Sequence, residues 1–101
     1  MADGSQLETA ETGLPHSIES EQALLGALLV NNDVYDRIAG LVGEEHFFDP
    51  VHGRIFSTIA SRIQKNTLAS PVTIKAFLAD DDGLAGIGGG AYLARLAAAS
   101  V

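Results

Sequence analysis

Two histidines and an aspartate at regular spacing are the residues of this chain best suited to metal chemistry. His46, Asp49 and His52 lie three residues apart, and their side chains are of types that bind zinc or another divalent ion. A small metal-dependent hydrolase is therefore one hypothesis. Pro50 opposes it, because this proline starts a helix between the two histidines, so that the three side chains do not share one face. We favour structural roles for these residues.

A glycine-rich stretch and several acids could also belong to an enzyme. Residues 83–90, GLAGIGGG, could cradle a phosphate, but no strand precedes them and no lysine follows them, so we predict a loop between helices. The acidic groups are Glu19 with Glu21, Glu44 with Glu45, and Asp80 to Asp82. Each group lies at a predicted helix end, where capping and the helix dipole explain it without a catalytic cleft. We therefore predict no enzyme activity for these 101 residues.

Protein-protein contact is the remaining chemistry to consider. Tyr92, Leu93 and Leu96 lie on a terminal helix that is apolar over much of its surface, and such a helix needs something to pack against. The three side chains are our candidate protein interface, although a place in the hydrophobic core would give the same pattern. One further set could dock an acidic partner but is more simply a solvated face: Arg54, Arg62 and Lys65.

Composition limits the classes of partner. The chain is 47% hydrophobic and 19% charged, as expected for one globular domain. With six lysines and arginines against thirteen acids, its net charge of -7 disfavours direct binding to nucleic acid or to an anionic membrane. It has no cysteine for disulfides, no apolar stretch long enough to span a membrane and no signal peptide, so we expect a cytoplasmic protein.

Helix start signals divide the chain into a leader and a helical domain. Residues 1–13 hold three acids, no lysine or arginine, and only one large apolar side chain, so we predict a disordered acidic leader. Polar caps and prolines then mark helix starts at Ser17, at Asp49 with Pro50, and at Ser70 with Pro71. No segment shows the period of two that is typical of strands. We predict an all-α domain over residues 14–101, a compact bundle of about five to six short helices.

Several details of this bundle follow from the same signals. The apolar spacing predicts a second helix that is capped near Asp33 and continues to Gly43, followed by one turn that carries Phe47 and Phe48 inward. The buried face of the third helix consists of Ile55, Phe56, Ile59 and Ile63. We further predict that Gly83 provides a left-handed stop for the fourth helix and that residues 83–90 form a flexible link.

Four blocks of sequence together resemble the N-terminal domain of DnaB-type replicative DNA helicases. Residues 14–29, LPHSIESEQALLGALL, are similar to the opening of that family, with Ser20 as the one notable change. The later blocks are residues 46–52 (HFFDPVH), 71–74 (PVTI) and 89–96 (GGAYLARL). They occur in the family's order and spacing, and the resemblance covers the chain from residue 14 onward. Gly90 is a departure, since relatives often place a larger residue there.

This resemblance implies a non-catalytic assembly and protein-interaction module. The whole protein would be an ATP-driven helicase that unwinds duplex DNA 5'-to-3' as a ring of six subunits, with its ATP and Mg²⁺ held by a C-terminal RecA-like domain. The implied partners are neighbouring helicase subunits, primase and, in some bacteria, a helicase loader. The resemblance implies no catalytic, cofactor or metal residue within these 101 positions. A free-standing helical adaptor, docking a partner through Tyr92, Leu93 and Leu96, is the alternative.

Overall fold

All the regular secondary structure in the described part of the chain is helical. The computed structural model describes residues 17–101, so the predicted leader at residues 1–13 lies outside it. Six α-helices and a 3₁₀ turn, Glu44–His46, occur in this part of the chain, and no strand does. The α-helices are α1 (Ile18–Val30), α2 (Val34–Ile38), α3 (Pro50–Gln64), α4 (Pro71–Phe77), α5 (Asp82–Gly86) and α6 (Gly90–Ala98). The predicted all-α class is confirmed, and none of the described helices is long and apolar enough to cross a membrane.

Side-chain caps fix the starts of three helices, as predicted. The Ser17 hydroxyl accepts a hydrogen bond from the Ser20 amide at 3.1 Å, at the start of α1. The Asp49 carboxylate accepts one from the Val51 amide at 2.9 Å, at the start of α3. Ser70 caps α4 in the same way. Each cap satisfies a backbone N–H group that has no partner within the helix.

The second helix is shorter than predicted. It ends at Ile38, whose carbonyl accepts the amides of both Leu41 and Val42, and this turn redirects the chain before Gly43. Leu41 is therefore 75% exposed instead of lying on a buried face. The predicted cap also differs, because the Asp33 side chain caps nothing and the Asn31 side chain accepts the Asp33 amide instead.

The prediction of a flexible link over residues 83–90 is wrong for the first half of this segment. Gly83 lies inside α5 and does not stop α4, which ends at Phe77. The Asp81 carboxylate caps α5 by accepting the Leu84 amide at 3.0 Å, and Leu84 is only 2% exposed. Capping and burial of this leucine outweigh the low helix propensity of the glycines.

The core lies where α1, α3 and α6 pack together, with α4 and α5 contributing one large side chain each, Ile74 and Leu84. The closest approach is between α1 and α6 at Gly26, where an added Cβ would overlap the Leu96 carbonyl. Phe47 points inward, as predicted, and packs on Phe56 with ring centroids 5.2 Å apart. Phe48, predicted to point inward as well, is 57% exposed, and that part of the prediction is wrong.

A side-chain amide joins two loops that are far apart in the sequence. Asn32, between α1 and α2, accepts the Ala69 amide at 3.0 Å and donates to the Ala69 carbonyl at 2.8 Å. It also donates to the Leu28 carbonyl at the end of α1. Asn32 thereby fixes the residue just before the cap of α4, and it holds the start of that helix against α1.

Candidate functional site

A buried histidine lies at the centre of the only polar network that connects three helices in the described chain. His52 of α3 is 1% exposed. Its Nδ1 lies 2.9 Å from a Glu21 carboxylate oxygen on α1, and its Nε2 lies 2.6 Å from the Tyr92 hydroxyl on α6. A single imidazole therefore links α1, α3 and α6.

The groups around His52 determine which ring nitrogen carries the proton when the imidazole is neutral. Because the Glu21 carboxylate can only accept, the Nδ1–H of His52 donates to it. The Nε2 atom then accepts from the Tyr92 hydroxyl, whose oxygen accepts in turn from the Gln22 amide at 3.1 Å. The second Glu21 oxygen accepts the Phe48 amide at 2.6 Å. No buried side-chain nitrogen or oxygen of the network lacks a partner, as buried polar groups require.

A carboxylate, an imidazole and a phenol in a row resemble an acid-base relay, but their burial decides against one. His52 is 1% exposed and Tyr92 is 9% exposed, so the reactive atoms are out of reach of a substrate. General acid-base catalysis needs contact with the reacting group, directly or through one water. The network is structural: it sets the positions of three helices with directional hydrogen bonds.

The structure does not bring the predicted metal-ligand candidates together. His46 is exposed in the 3₁₀ turn, where its Nδ1 accepts the Gly43 amide at 2.8 Å. Asp49 caps α3, and both ring nitrogens of His52 are engaged in the buried network. Residues 17–101 contain no group of three side chains placed to hold a metal ion. The preferred interpretation, in which these residues are structural, fits their observed contacts.

The candidate interface residues lie inside the chain's own core. Leu93 is fully buried, while Leu96 is 5% exposed and Tyr92 is 9% exposed. Packing in the core, the second origin that the sequence allows, accounts for their apolar character. An interface through these three side chains would require α6 to move away from α1, and it stays a prediction.

Two of the three cations on the basic side of α3 have partners within the chain. Arg54 donates to the Asp81 carboxylate at 2.6 Å and 3.1 Å, and Arg62 stacks over the Phe77 ring at 4.6 Å. The hydrogen bonds from Arg54 and from the Leu84 amide lower the pKa of Asp81 from its ordinary 3.8 to about 2. Only Lys65 is left as a plain exposed cation.

Comparison with known proteins identifies the family of this domain. Residues 13–101 match the family described as DnaB-like helicase N terminal domain. The chain belongs to this family. A DnaB-type N-terminal domain from Mycobacterium tuberculosis, known from its crystal structure, matches 88% of this chain with a TM-score of 0.76 and 27% identity, and the match covers 61% of that chain. The resemblance seen in the four blocks is thereby confirmed.

Curated relatives of this DnaB-type domain are much longer proteins. The replicative DNA helicase DnaB of Rickettsia typhi is 39% identical and that of Rickettsia felis 37% identical, each over 83 residues. Both matches cover 82% of this chain and 17% of the relative. The chain thus spans about a sixth of their length, and it matches their N-terminal domain, which is not the catalytic ATPase domain.

The network joins residues from three of the four separated blocks that resemble the DnaB-type sequence. Glu21 and Gln22 belong to the first block, His52 to the second and Tyr92 to the last. Sequence reasoning treated these side chains separately, as an acid at a helix start, a metal candidate and an interface aromatic. One signal could have found the network: three polar side chains at positions where the surrounding helical pattern calls for apolar ones.

Proposed function

We propose that this chain is the assembly and interaction module of a replicative DNA helicase. In the whole protein, a hexameric ring unwinds duplex DNA 5'-to-3' in the cytoplasm, and the ATP and Mg²⁺ act in a separate ATPase domain. The observation that carries this proposal is the match of residues 13–101 to the DnaB-like N-terminal domain. The buried network supports it, because it gives the shared sequence blocks a structural task and no catalytic one.

The proposed partners are neighbouring helicase subunits, primase and a helicase loader. A net charge of -7 supports partners that are proteins, since nucleic acid would need clustered unpaired cations. Three of the six basic side chains, Arg54, Arg62 and Arg95, are engaged within the fold. In this proposal the module guides the assembly while it makes little contact with DNA.

Light scattering tests the proposal directly. The molar mass of the chain is measured over a concentration series, alone and with the C-terminal domain of the primase from the same organism. We expect a saturable gain in mass with that primase domain and none with the primase catalytic core, which serves as the control. No gain at tens of micromolar of both proteins would contradict the assignment of primase as partner.

A second experiment separates the helicase module from a free-standing adaptor. The full-length protein is compared with a form that lacks residues 1–101. Loss of primase-coupled unwinding, with retention of DNA-stimulated ATP hydrolysis, is expected for a module that assembles and recruits. Unchanged unwinding and priming by the shortened protein would contradict the proposal.

A further inference from the structure

An apolar groove lies on the surface of the domain, lined by residues that do not belong to the buried network. It runs between α4, α5 and the start of α6 and has a volume of about 430 Å³. That size falls within the range of pockets that bind ligands or side chains. The lining residues are mostly small and apolar, and the groove takes its shape from Val72, Ala76, Leu78, Ala79, Leu84 and Ala85.

The outer face of α4 is apolar where a surface helix should be polar. Ile74 points into the core and is fully buried. On the opposite side, Val72 is 77% exposed, and Ala76 and Ala79 are exposed beside it. A surface helix normally has polar side chains on its solvent face. The core formed by residues 17–101 does not use this second apolar face.

One unpaired cation lies at the rim of this groove. Lys75 is the only charged residue that lines it, and within residues 17–101 no carboxylate forms an ion pair with it. Its aliphatic chain lies across Gly90, where an added Cβ would come within 2.7 Å of the Lys75 Cδ. Gly90 therefore makes room for the lysine stem, which keeps the ammonium group beside the groove.

We propose that the groove docks an amphipathic helix of another protein, which places apolar side chains in the groove and one carboxylate against Lys75. The groove is formed between helices, and helix-in-groove docking through apolar anchors is a common mode of peptide recognition. An unpaired ammonium at its rim complements a carboxylate. A second copy of this chain is the competing occupant, and self-association measured below distinguishes the two.

This inference deepens the proposed function, because it assigns a partner chemistry to one surface of the interaction module. It also separates the two faces of α4. Ile74 holds the helix to the domain, whereas Val72 and Ala76 meet the partner. Substitutions on the outer face should therefore change binding without changing the fold.

A displayed library of helical peptides, selected on the whole chain, provides the probe. We expect the selected peptides to share apolar residues at helical spacing and one aspartate or glutamate. Synthetic peptides from this selection should lose at least tenfold in affinity for Lys75→Glu and for Ala76→Arg, measured by isothermal titration calorimetry. Lys65→Glu is the matched control, because it makes the same charge change at an exposed site outside the groove; it should leave the affinity within twofold.

Gly90→Ala is a finer variant on the same groove. Its methyl group must displace the flexible Lys75 stem, so the peptide affinity should fall several-fold while the helix content by circular dichroism is retained. Affinity unchanged by both Gly90→Ala and Lys75→Glu would overturn the role of the lysine.

Two other outcomes would overturn the proposal. Selected peptides without an acid would overturn the carboxylate contact with Lys75, and equal affinity for Ala76→Arg would show that the groove is not the docking surface. Self-association that Lys75→Glu abolishes would assign the groove to a second copy of the chain. Neither result depends on primase, so failure here is distinguishable from failure of the proposed function.

Discussion

Where α1, α3 and α6 meet, polar side chains are buried and paired, whereas along α4 and α5 apolar side chains face the solvent. On the first side, His52 is 1% exposed and contacts Glu21 and Tyr92. On the second side, Val72 is 77% exposed and Phe77 59% exposed. Burial of polar side chains lowers the stability of the fold unless every hydrogen bond forms. Exposure of a few apolar side chains lowers it much less. The residues of the buried network and the residues of the proposed docking groove are thus different sets.

The largest expected effect is from removal of the central histidine. His52→Leu substitutes an apolar side chain of similar size and deprives the partly buried Glu21 carboxylate and the buried Tyr92 hydroxyl of their shared partner. We expect a loss of about 2–4 kcal/mol in the free energy of unfolding, measured with urea and circular dichroism. His46→Leu, at the exposed histidine, should cost less than about 1 kcal/mol. Equal losses in the two variants would show that the buried network does not stabilise the packing of α1, α3 and α6.

The contact of α1 with α6 gives the next effect. Gly26→Ala places a methyl group against the Leu96 carbonyl, so the two helices must separate. The expected loss is about 1–3 kcal/mol in the free energy of unfolding. Gly86→Ala is the matched control in α5, because its added Cβ meets no atom within 4 Å and alanine favours the helix. If Gly26→Ala were as stable as Gly86→Ala, the close helix crossing would be ruled out.

An acid titration tests the link between α3 and α5. The pKa of Asp81 is lowered from 3.8 to about 2, so its contribution to stability is complete above pH 3.8 and disappears as the pH falls towards 2. Stability curves of the wild type and Asp81→Asn should therefore converge through this window. Because Arg54 is 42% exposed, water screens the pair and the effect is modest. Asp82→Asn, which removes the same charge without an ion pair, should run parallel to the wild type; if Asp81→Asn does so too, the ion pair contributes nothing.

The smallest effect is expected on the outer face of α4. Val72→Ala removes two methyl groups that are mostly in water and should change the free energy of unfolding by less than about 0.5 kcal/mol. Ile74→Val removes a single buried methyl group on the inner face and should cost about 0.5–1.5 kcal/mol. Both are measured by urea unfolding. A larger loss from Val72→Ala than from Ile74→Val would mean that the outer face belongs to the core.

Sequence predicted the fold class and the helix starts because those signals are local. Ser17, Asp49 and Ser70 each cap a helix through an amide two or three residues away, so the pattern is visible in a short window. The buried face of α3 followed from its period for the same reason. The five-residue helix α5 could not be predicted, because it depends on the burial of Leu84 against distant residues.

The site was harder to predict than the fold. The pairs of His52 with Glu21 and Tyr92 join residues 31 and 40 positions apart, and nothing local specifies them. The apolar pattern of α6 is the same for a core and an interface, which is why Tyr92 was a candidate for either. The groove on α4 could not be predicted from the sequence. Val72 and Ala76 lie on the outer face of the helix only because Ile74 is packed into the core on its inner face.

The contacts that hold the chain before and after α4 affect the thermodynamics of docking a partner on this helix. A helix of seven residues would not persist alone in water, since isolated helices need about 12–15 residues. Asn32 holds the chain at Ala69 just before this helix, and the pair of Arg54 with Asp81 holds the chain after it. A partner that lies on α4 therefore meets a helix that is already ordered, and the association loses little conformational entropy on this side.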